Sequence, residues 1–244
     1  EEKFTMKLKK IASLALAGIM AVSMLTACGE GANDIVNPTP NPDPTPSTSE
    51  VVSTIDKAMK DYNSNATINV KESDFLNARI DKLVASVSYQ ELSKDDDALL
   101  VKAIESAFDK DDMEKLTADN LEAENLASKI GKKDKNGTVQ SQESWFYAIM
   151  DEGTVSSTTA LVAAANHLGE QMKDLKDSFL IDSKSHVEIG GNWYRPGKPG
   201  TVDTQIACNA GYTMYVYHFN ATSTGDTSVP LTVAVLKVNV SQKV

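Results

Sequence analysis

The sequence predicts an α+β domain, in which an acidic helical part over residues 51–183 packs against a β-rich part over residues 184–244. Apolar residues recur at helical spacing in the first part, whereas long runs of β-branched and aromatic residues fill the second. Because the helices precede the strands instead of alternating with them, we expect an antiparallel β-meander with helices over one of its faces.

Several segments of the first part carry apolar residues at the spacing of an amphipathic helix. The strongest stripes fall over residues 76–87, 99–108 and 157–180, and weaker ones over 51–62 and 119–130. The run from Trp145 to Met150 is apolar at nearly every position, and we interpret it as a short, buried helix.

Strand-forming residues dominate the second part. Two long strands are predicted at Tyr212–Phe219 and Leu231–Val240, and two shorter ones at His186–Tyr194 and Thr201–Ala207. The string Asn209-Ala210-Gly211 is typical of a turn, so the strands on either side of it are expected to pair as a hairpin.

The chain also carries an N-terminal leader. A cationic segment ending at Lys10 precedes the apolar stretch Ile11–Met24, which is followed by Leu25-Thr26-Ala27-Cys28. This order is that of a secretory signal peptide, and its apolar core is too short to span a bilayer. We expect Met6 to be the true start, because residues 1–5 add acidic groups that such leaders lack.

The last four residues of the leader region resemble the lipobox of bacterial lipoprotein precursors. The resemblance implies that residues 1–27 are removed and that Cys28 receives a diacylglyceryl group, with palmitate as a typical chain. Two or more acyl chains give stable anchorage, so the expected location is the bacterial cell envelope, on the extracytoplasmic face of a membrane.

Residues 28–50 follow as a solvated tether, because Pro recurs at every second position from Pro38 to Pro46. Without residues 1–27 the chain keeps 20 Lys and Arg against 32 Asp and Glu, a net charge of about −12. Such a charge argues against nucleic acid as a partner.

The residues that could carry metal or catalytic chemistry do not form a complete motif. The acidic run Asp95–Asp97 and the cluster at Asp109–Glu114 lack the glycine and the terminal carboxylate of a calcium loop, so no metal or cofactor is expected. Cys208 and His218 are a tempting nucleophile and base. With a turn after Cys208 they would lie roughly 20 Å apart, too far for a dyad.

Short strings along the folded region follow the order of features in the CAP, or SCP-like, domains that bacteria secrete. They are Leu92, Asp95, Leu99, Ala103 and Ala107, then Glu124-Asn125-Leu126-Ala127, Trp145, Glu188-Ile189-Gly190-Gly191 and Tyr212–Phe219. The resemblance implies a cleft of histidines and acidic residues, of which Glu124 and either His186 or His218 would remain. The first histidine motif of the family is missing, so the implied site is degenerate.

Aromatic residues of the β-rich part offer a different site. Thr213, Tyr215, Tyr217 and Phe219 share one face of the predicted strand, and Trp193 and Tyr194 are expected nearby. If this face is uncovered, it is an aromatic platform for a glycan or a protein partner; the alternative is that it belongs to the core. The sequence therefore favours a lipid-anchored surface protein with a non-enzymatic binding role. A degenerate CAP-like domain is the alternative, and a secreted hydrolase is the third.

Overall fold

The computed structural model describes residues 45–128, 142–153, 155–181, 187–189, 192–194, 206–224 and 227–242. The helices in these ranges are α1 (Thr48–Tyr62), α2 (Asp74–Val84), α3 (Tyr89–Leu92), α4 (Ala98–Phe108), α5 (Ala123–Ser128) and α6 (Ser157–Met172), with a 3₁₀ turn at Asp119–Leu121. The strands are β1 (Ile68–Lys71), β2 (Glu114–Lys115), β3 (Gln142–Asp151), β4 (Ser178–Ile181), β5 (Val187–Ile189), β6 (Asn192–Tyr194), β7 (Ile206–Thr222) and β8 (Ser228–Gln242).

The α+β class predicted from the sequence is confirmed, although the sheet is mixed and not a purely antiparallel meander. Its strand order is β1-β7-β8-β3-β2, with β4 also paired to β7. The two longest strands, β7 and β8, form a central antiparallel hairpin, while β1 runs parallel to β7 and β2 parallel to β3. Strands β5 and β6 pair with each other. Four strands of the main sheet therefore come from the part of the chain expected to be helical.

Helices α1 and α6 cover one face of the sheet, on which the strands β3, β7 and β8 place their even-numbered residues. The buried apolar positions there include Ile55 of α1, Leu168 of α6 and Met214 of β7. The two helices approach closely at Gly169, where a Cβ atom would lie 2.5 Å from the Tyr62 ring. This face holds the larger apolar cluster of the described residues.

Helices α2, α3 and α4 cover part of the opposite face, where the odd-numbered residues of the same strands point. Ile80 of α2, Leu92 of α3 and Ile104 of α4 are fully buried against Val233 and Val235 of β8. The prediction that helices lie over only one face was wrong. Because both faces of β8 are packed, its central residues are apolar without alternation, as a doubly covered strand requires.

The run from Trp145 to Met150 is part of strand β3 and not a helix, so that prediction was wrong. Phe146, Ala148 and Met150 are buried toward α1 and α6, whereas Trp145 and Tyr147 are half-buried on the other face. A strand segment that packs on both sides lacks the alternating polar positions of a one-sided strand, so periodicity cannot distinguish it from a buried helix.

The helix predicted over 157–180 ends at Met172, and Phe179 belongs to β4 instead. Asn63 contributes to this ending, because its side-chain NH₂ donates hydrogen bonds to the Met172 and Leu175 carbonyls at 2.7 and 3.0 Å. Its Oδ1 accepts from the backbone N–H groups of Asn65 and Ala66. This one buried side chain therefore joins the C-terminal ends of α1 and α6.

The turn predicted at Asn209-Ala210-Gly211 was also wrong, since all three residues lie inside β7. They pair with Ser241, Val240 and Asn239 of β8 in unbroken register. Gly211 does not adopt a positive φ, so its backbone is that of an ordinary strand residue. A continuous ladder of hydrogen bonds thus overrides a locally turn-like string.

The first described residues lie beside the C-terminal end of β7. Thr45 accepts a hydrogen bond from the Asn220 amide at 2.7 Å, and α1 begins at Thr48, three residues before the expected domain boundary. The Glu50 carboxylate accepts 2.7 Å hydrogen bonds from the Ser47 hydroxyl and from the Ser47 backbone N–H, and these bonds lower the pKa of Glu50 and fix the helix start.

Candidate functional site

Part of the odd-numbered face of the sheet is not covered by α2, α3 or α4. We call this surface the open face. Its residues are exposed or half-buried and, apart from one glycine, all are polar. They are Asn69 and Lys71 of β1, Glu143 of β3, Asn209, Gly211 and Thr213 of β7, and Lys237, Asn239 and Ser241 of β8.

The strand register arranges the open face in rows. One row crosses four strands in the order Asn69, Thr213, Lys237 and Trp145, because each residue is the direct partner of the next. Three strand spacings make this row about 14 Å wide. From Asn209 to the row of Tyr215 is six residues along β7, or about 20 Å.

An aromatic wall made of Phe108, Trp145 and Tyr215 borders the open face where helix α4 ends. The ring of Phe108 lies 5.1 Å from that of Trp145 and 5.0 Å from that of Tyr215, and the Trp145 and Tyr215 rings are parallel within 7°. All three side chains are half-buried. The wall therefore separates the apolar core beneath the helices from the open polar surface.

Three lysine side chains approach the rings of this wall. The Lys71 ammonium lies 5.0 Å from the Tyr215 ring centre, and those of Lys237 and Lys110 lie 5.4 and 5.7 Å from the Trp145 ring centre. Lys237 also forms an ion pair with Glu143, and its hydrogen bond lowers the pKa of that carboxyl. The two charges at the centre of the surface thus compensate each other.

A shallow depression of about 340 Å³ lies beside the wall. Its lining includes Trp145, Glu143 and Lys110, together with Asp111 and Asp112 of the loop after α4. The open face is therefore concave next to the aromatic wall, whereas the rest of the open face has the shape of the sheet surface.

Four other polar side chains of the open face, unlike those of Lys237 and Glu143, have no hydrogen-bond partner among the described residues. Asn69, Asn209, Asn239 and Ser241 make no side-chain hydrogen bond to another residue that the structure describes. At Gly211, in the middle of the surface, a Cβ atom would meet nothing within 4 Å. A glycine inside a strand weakens it, and such positions often mark the close approach of a ligand or another backbone. Neither a turn nor a packed neighbour explains this glycine.

The aromatic residues predicted from the sequence are only partly brought to this surface. Tyr215 belongs to the wall, whereas Tyr217 donates a hydrogen bond to Asp81 of α2 and stacks on the buried Phe219. These contacts favour the alternative in which Tyr217 and Phe219 belong to the core. For Trp193 and Tyr194 the structure describes only the backbone, in β6.

Sequence reasoning missed Trp145, Phe108 and the row of polar residues. Trp145 was assigned to a helix, and Phe108 was assigned only to the apolar stripe of its helix. The amides and hydroxyls gave no signal, because polar residues at alternate positions are ordinary on any solvent-facing strand.

Of the three residues of the implied CAP-like cleft, the structure places two, Glu124 and His218, and these lie near opposite ends of β7. His218 is buried at the Thr45 end of β7, and His186 lies outside the described residues. Glu124 is in α5, which contacts β4; that strand pairs with residues 206–209, at the other end of β7. Of the side chain of Glu124 nothing is described.

His218 lies in a buried chain of hydroxyl groups. Its Nε2 is 2.7 Å from Ser157 Oγ and its Nδ1 is 2.8 Å from Thr232 Oγ1, and all three residues are at most 3% exposed. Burial lowers the pKa of His218 to about 4. The ring is thus neutral at physiological pH. Its Nδ1 bonds to a hydroxyl, where the histidine of a catalytic triad would bond to a carboxylate. Because His218, Ser157 and Thr232 are all buried, a substrate does not reach them, and a structural role accounts for the arrangement.

Cys208 and His218 lie on the same strand, ten residues apart, which corresponds to about 33 Å. The expected intervening turn is absent, and the separation is greater than predicted. Cys208 is fully buried, and burial raises the pKa of its thiol to about 11. This cysteine is an apolar core residue.

The acidic runs form tight turns at the two ends of α4. Asp95, Asp96 and Asp97 precede the helix with φ values of 52°, 53° and 61°, and Asp109 ends it in the same left-handed region. Among the described residues, no three His, Cys, Asp or Glu side chains are grouped closely enough to hold a metal ion.

The described chain is therefore an α+β domain with helices on both faces of a mixed sheet and with one polar surface left uncovered beside aromatic residues. No protein-family model, curated protein or solved structure matches the sequence. Within the part of the chain that the structure describes, no helix has the length and apolar character needed to cross a membrane.

Proposed function

We propose that this protein is a lipid-anchored extracytoplasmic surface protein that binds a ligand, without catalysis, on the open face. The observation that carries the proposal is the composition of that face: amides and hydroxyls with no side-chain partner among the described residues surround a strand glycine and end at a half-buried aromatic wall. Surfaces of this kind present hydrogen-bonding groups and ring area together.

The position of the open face supports the proposal. The described chain enters the domain at Thr45, beside Asn220, whereas the open face occupies positions 209–213 of the same strand. Seven to eleven strand residues separate them, or roughly 23–36 Å. The open face therefore lies clear of the place where the N-terminal tether would join the domain.

The tether length suits such a role. Seventeen residues lead from Cys28 to Thr45, and because an extended proline-rich chain reaches about 3.1 Å per residue, a tether of this length would reach up to about 50 Å. Anchoring is tested with Cys28→Ser in the producing bacterium. We expect loss of palmitate incorporation, and continued labelling of the variant would contradict the anchor.

The binding role is tested by retention of the purified protein on arrays of glycans and of extracellular proteins. Gly211→Ile places a branched side chain in the middle of the open face, and the matched control Thr222→Ile changes an exposed residue at the other end of β7. Retention that survives in the control but is lost in Gly211→Ile supports the proposal. No retention of the unaltered protein on either array, or equal retention of both variants, contradicts it.

A further inference from the structure

We infer that the ligand of the open face is a neutral polysaccharide, bound as a short stretch of sugar residues with one ring against the aromatic wall. The inference rests on the proposed function and adds the chemical class of the ligand. It follows from the hydrogen-bonding groups, the charge, the area and the glycine of this surface.

The hydrogen-bonding groups match a polyhydroxylated molecule. Each side-chain amide supplies two donors and an acceptor, and each hydroxyl supplies one donor and two acceptor lone pairs. The open face carries three such amides, at Asn69, Asn209 and Asn239, with hydroxyls at Thr213 and Ser241. Sugar hydroxyls both donate and accept, so they use both kinds of group.

The charges favour a neutral sugar over an acidic one. Lys237 in the central row is compensated by Glu143, and Lys110 at the rim stands beside Asp111 and Asp112. Lys71 is the one cation of the open face without an ion-pair partner among the described residues. The mature chain carries a net charge of about −12, which repels polyanions.

The area of the surface distinguishes a sugar from a protein partner. A face of about 14 by 20 Å offers about 280 Å², calculated from strand spacings. A stable protein interface needs about 800 Å² on each side and a core of large apolar or aromatic side chains. The centre of the open face holds Gly211 and polar residues, so its area and composition fit a small polar ligand better.

The aromatic wall provides a surface on which a sugar ring can pack, and Gly211 provides space for the ring to approach the strand. Trp145 and Tyr215 are half-buried, parallel rings at the edge of the polar surface, and the C–H face of a sugar ring can pack there by displacing the lysine side chains that lie over the rings. Gly211 lies in the row next to that of Trp145, because it pairs with Asn239, the partner of Glu143. The missing side chain leaves room for a ring to approach the strand backbone.

The experiment is native gel electrophoresis of the full protein in gels that contain dextran, mannan, laminarin, xylan or, as an anionic comparison, polygalacturonate. We expect at least one neutral polysaccharide to retard the protein. The dissociation constant derived from the retardation should rise at least tenfold in Gly211→Ile and in Asn239→Ala. Thr222→Ile should behave as the unaltered protein.

Folding and binding are separated by a thermal melt of each variant. Gly211→Ile adopts an ordinary strand conformation with free space around it, so its melting temperature should equal or exceed that of the unaltered protein. Loss of retardation in a protein that melts normally therefore reports binding.

Failure of the neutral-polysaccharide inference can be distinguished from failure of the proposed binding role. Retardation by polygalacturonate alone would overturn the neutral class. Absence of retardation in every gel, together with Gly211→Ile-sensitive retention on arrayed proteins, would overturn the polysaccharide and leave the binding role. Absence of retardation and of retention on both arrays would overturn both.

Discussion

The buried histidine makes the stability of this domain depend on pH. His218 has a pKa of about 4 in the folded protein because burial disfavours its charged form, whereas a histidine in an unfolded chain titrates near 6.5. As the pH falls below 6.5 the unfolded chain takes up a proton that the folded one does not. The stabilisation is complete above pH 6.5 and is lost progressively as the pH falls toward 4.

The size of the effect follows from the two pKa values. Each pKa unit corresponds to about 1.4 kcal/mol, so the whole shift is about 3 kcal/mol, of which about 2 kcal/mol is lost between pH 8 and pH 5. The lower limit of pH 5 matters because Glu50, Glu91 and Glu143, whose pKa values are lowered, begin to contribute below it.

The assay is urea-induced unfolding of the unaltered protein and of His218→Gln at several pH values from 8 to 5. The variant should be less stable at pH 8, because the hydroxyls of Ser157 and Thr232 lose their fitted partner. Its free energy of unfolding should then change with pH by about 2 kcal/mol less than that of the unaltered protein. The exposed His167 is the control position, and His167→Gln should keep the full dependence. Equal pH dependence in the unaltered protein and His218→Gln would refute the reasoning.

Two further predictions concern buried side chains. Asn63→Ala should lower the free energy of unfolding by about 3 kcal/mol in a denaturant titration, because two carbonyls and two N–H groups lose a buried partner. The neighbouring exposed substitution Asn65→Ala should cost less than about 0.5 kcal/mol, and a similar loss in both variants would contradict this role. Cys208 should resist iodoacetamide at pH 7.5 until the protein is denatured, since its thiol is buried with a raised pKa. Rapid labelling of the native protein that slows in His218→Ala would contradict the placement of the two residues on one strand.

Sequence periodicity located the elements that face solvent on one side. Helices α2 and α4 were predicted from their apolar stripes, because such a helix repeats its pattern every three to four residues whatever it packs against. Strand β8 was predicted because a long run of β-branched residues is typical of a strand.

The elements that sequence reasoning missed depend on distant parts of the chain. Trp145–Met150 is apolar because helices pack on both sides of β3, and Gly211 resembles a turn residue although β8 extends its ladder across it. The open face could not be foreseen for the same reason. Its residues belong to β1, β3, β7 and β8, and only strand register brings them together.

The order of strand pairing has a consequence for how the chain folds. Strands β1, β3 and β4 each pair with β7 or β8, the last two strands of the sequence. No part of the main sheet except the short β2–β3 contact can form until these last strands are present. Closing loops of such length before any contact is gained makes folding slow, so the chain stays unfolded for longer than a protein with local pairing. The early segments of a chain built in this way do not form the sheet while the remainder of the chain is still being made.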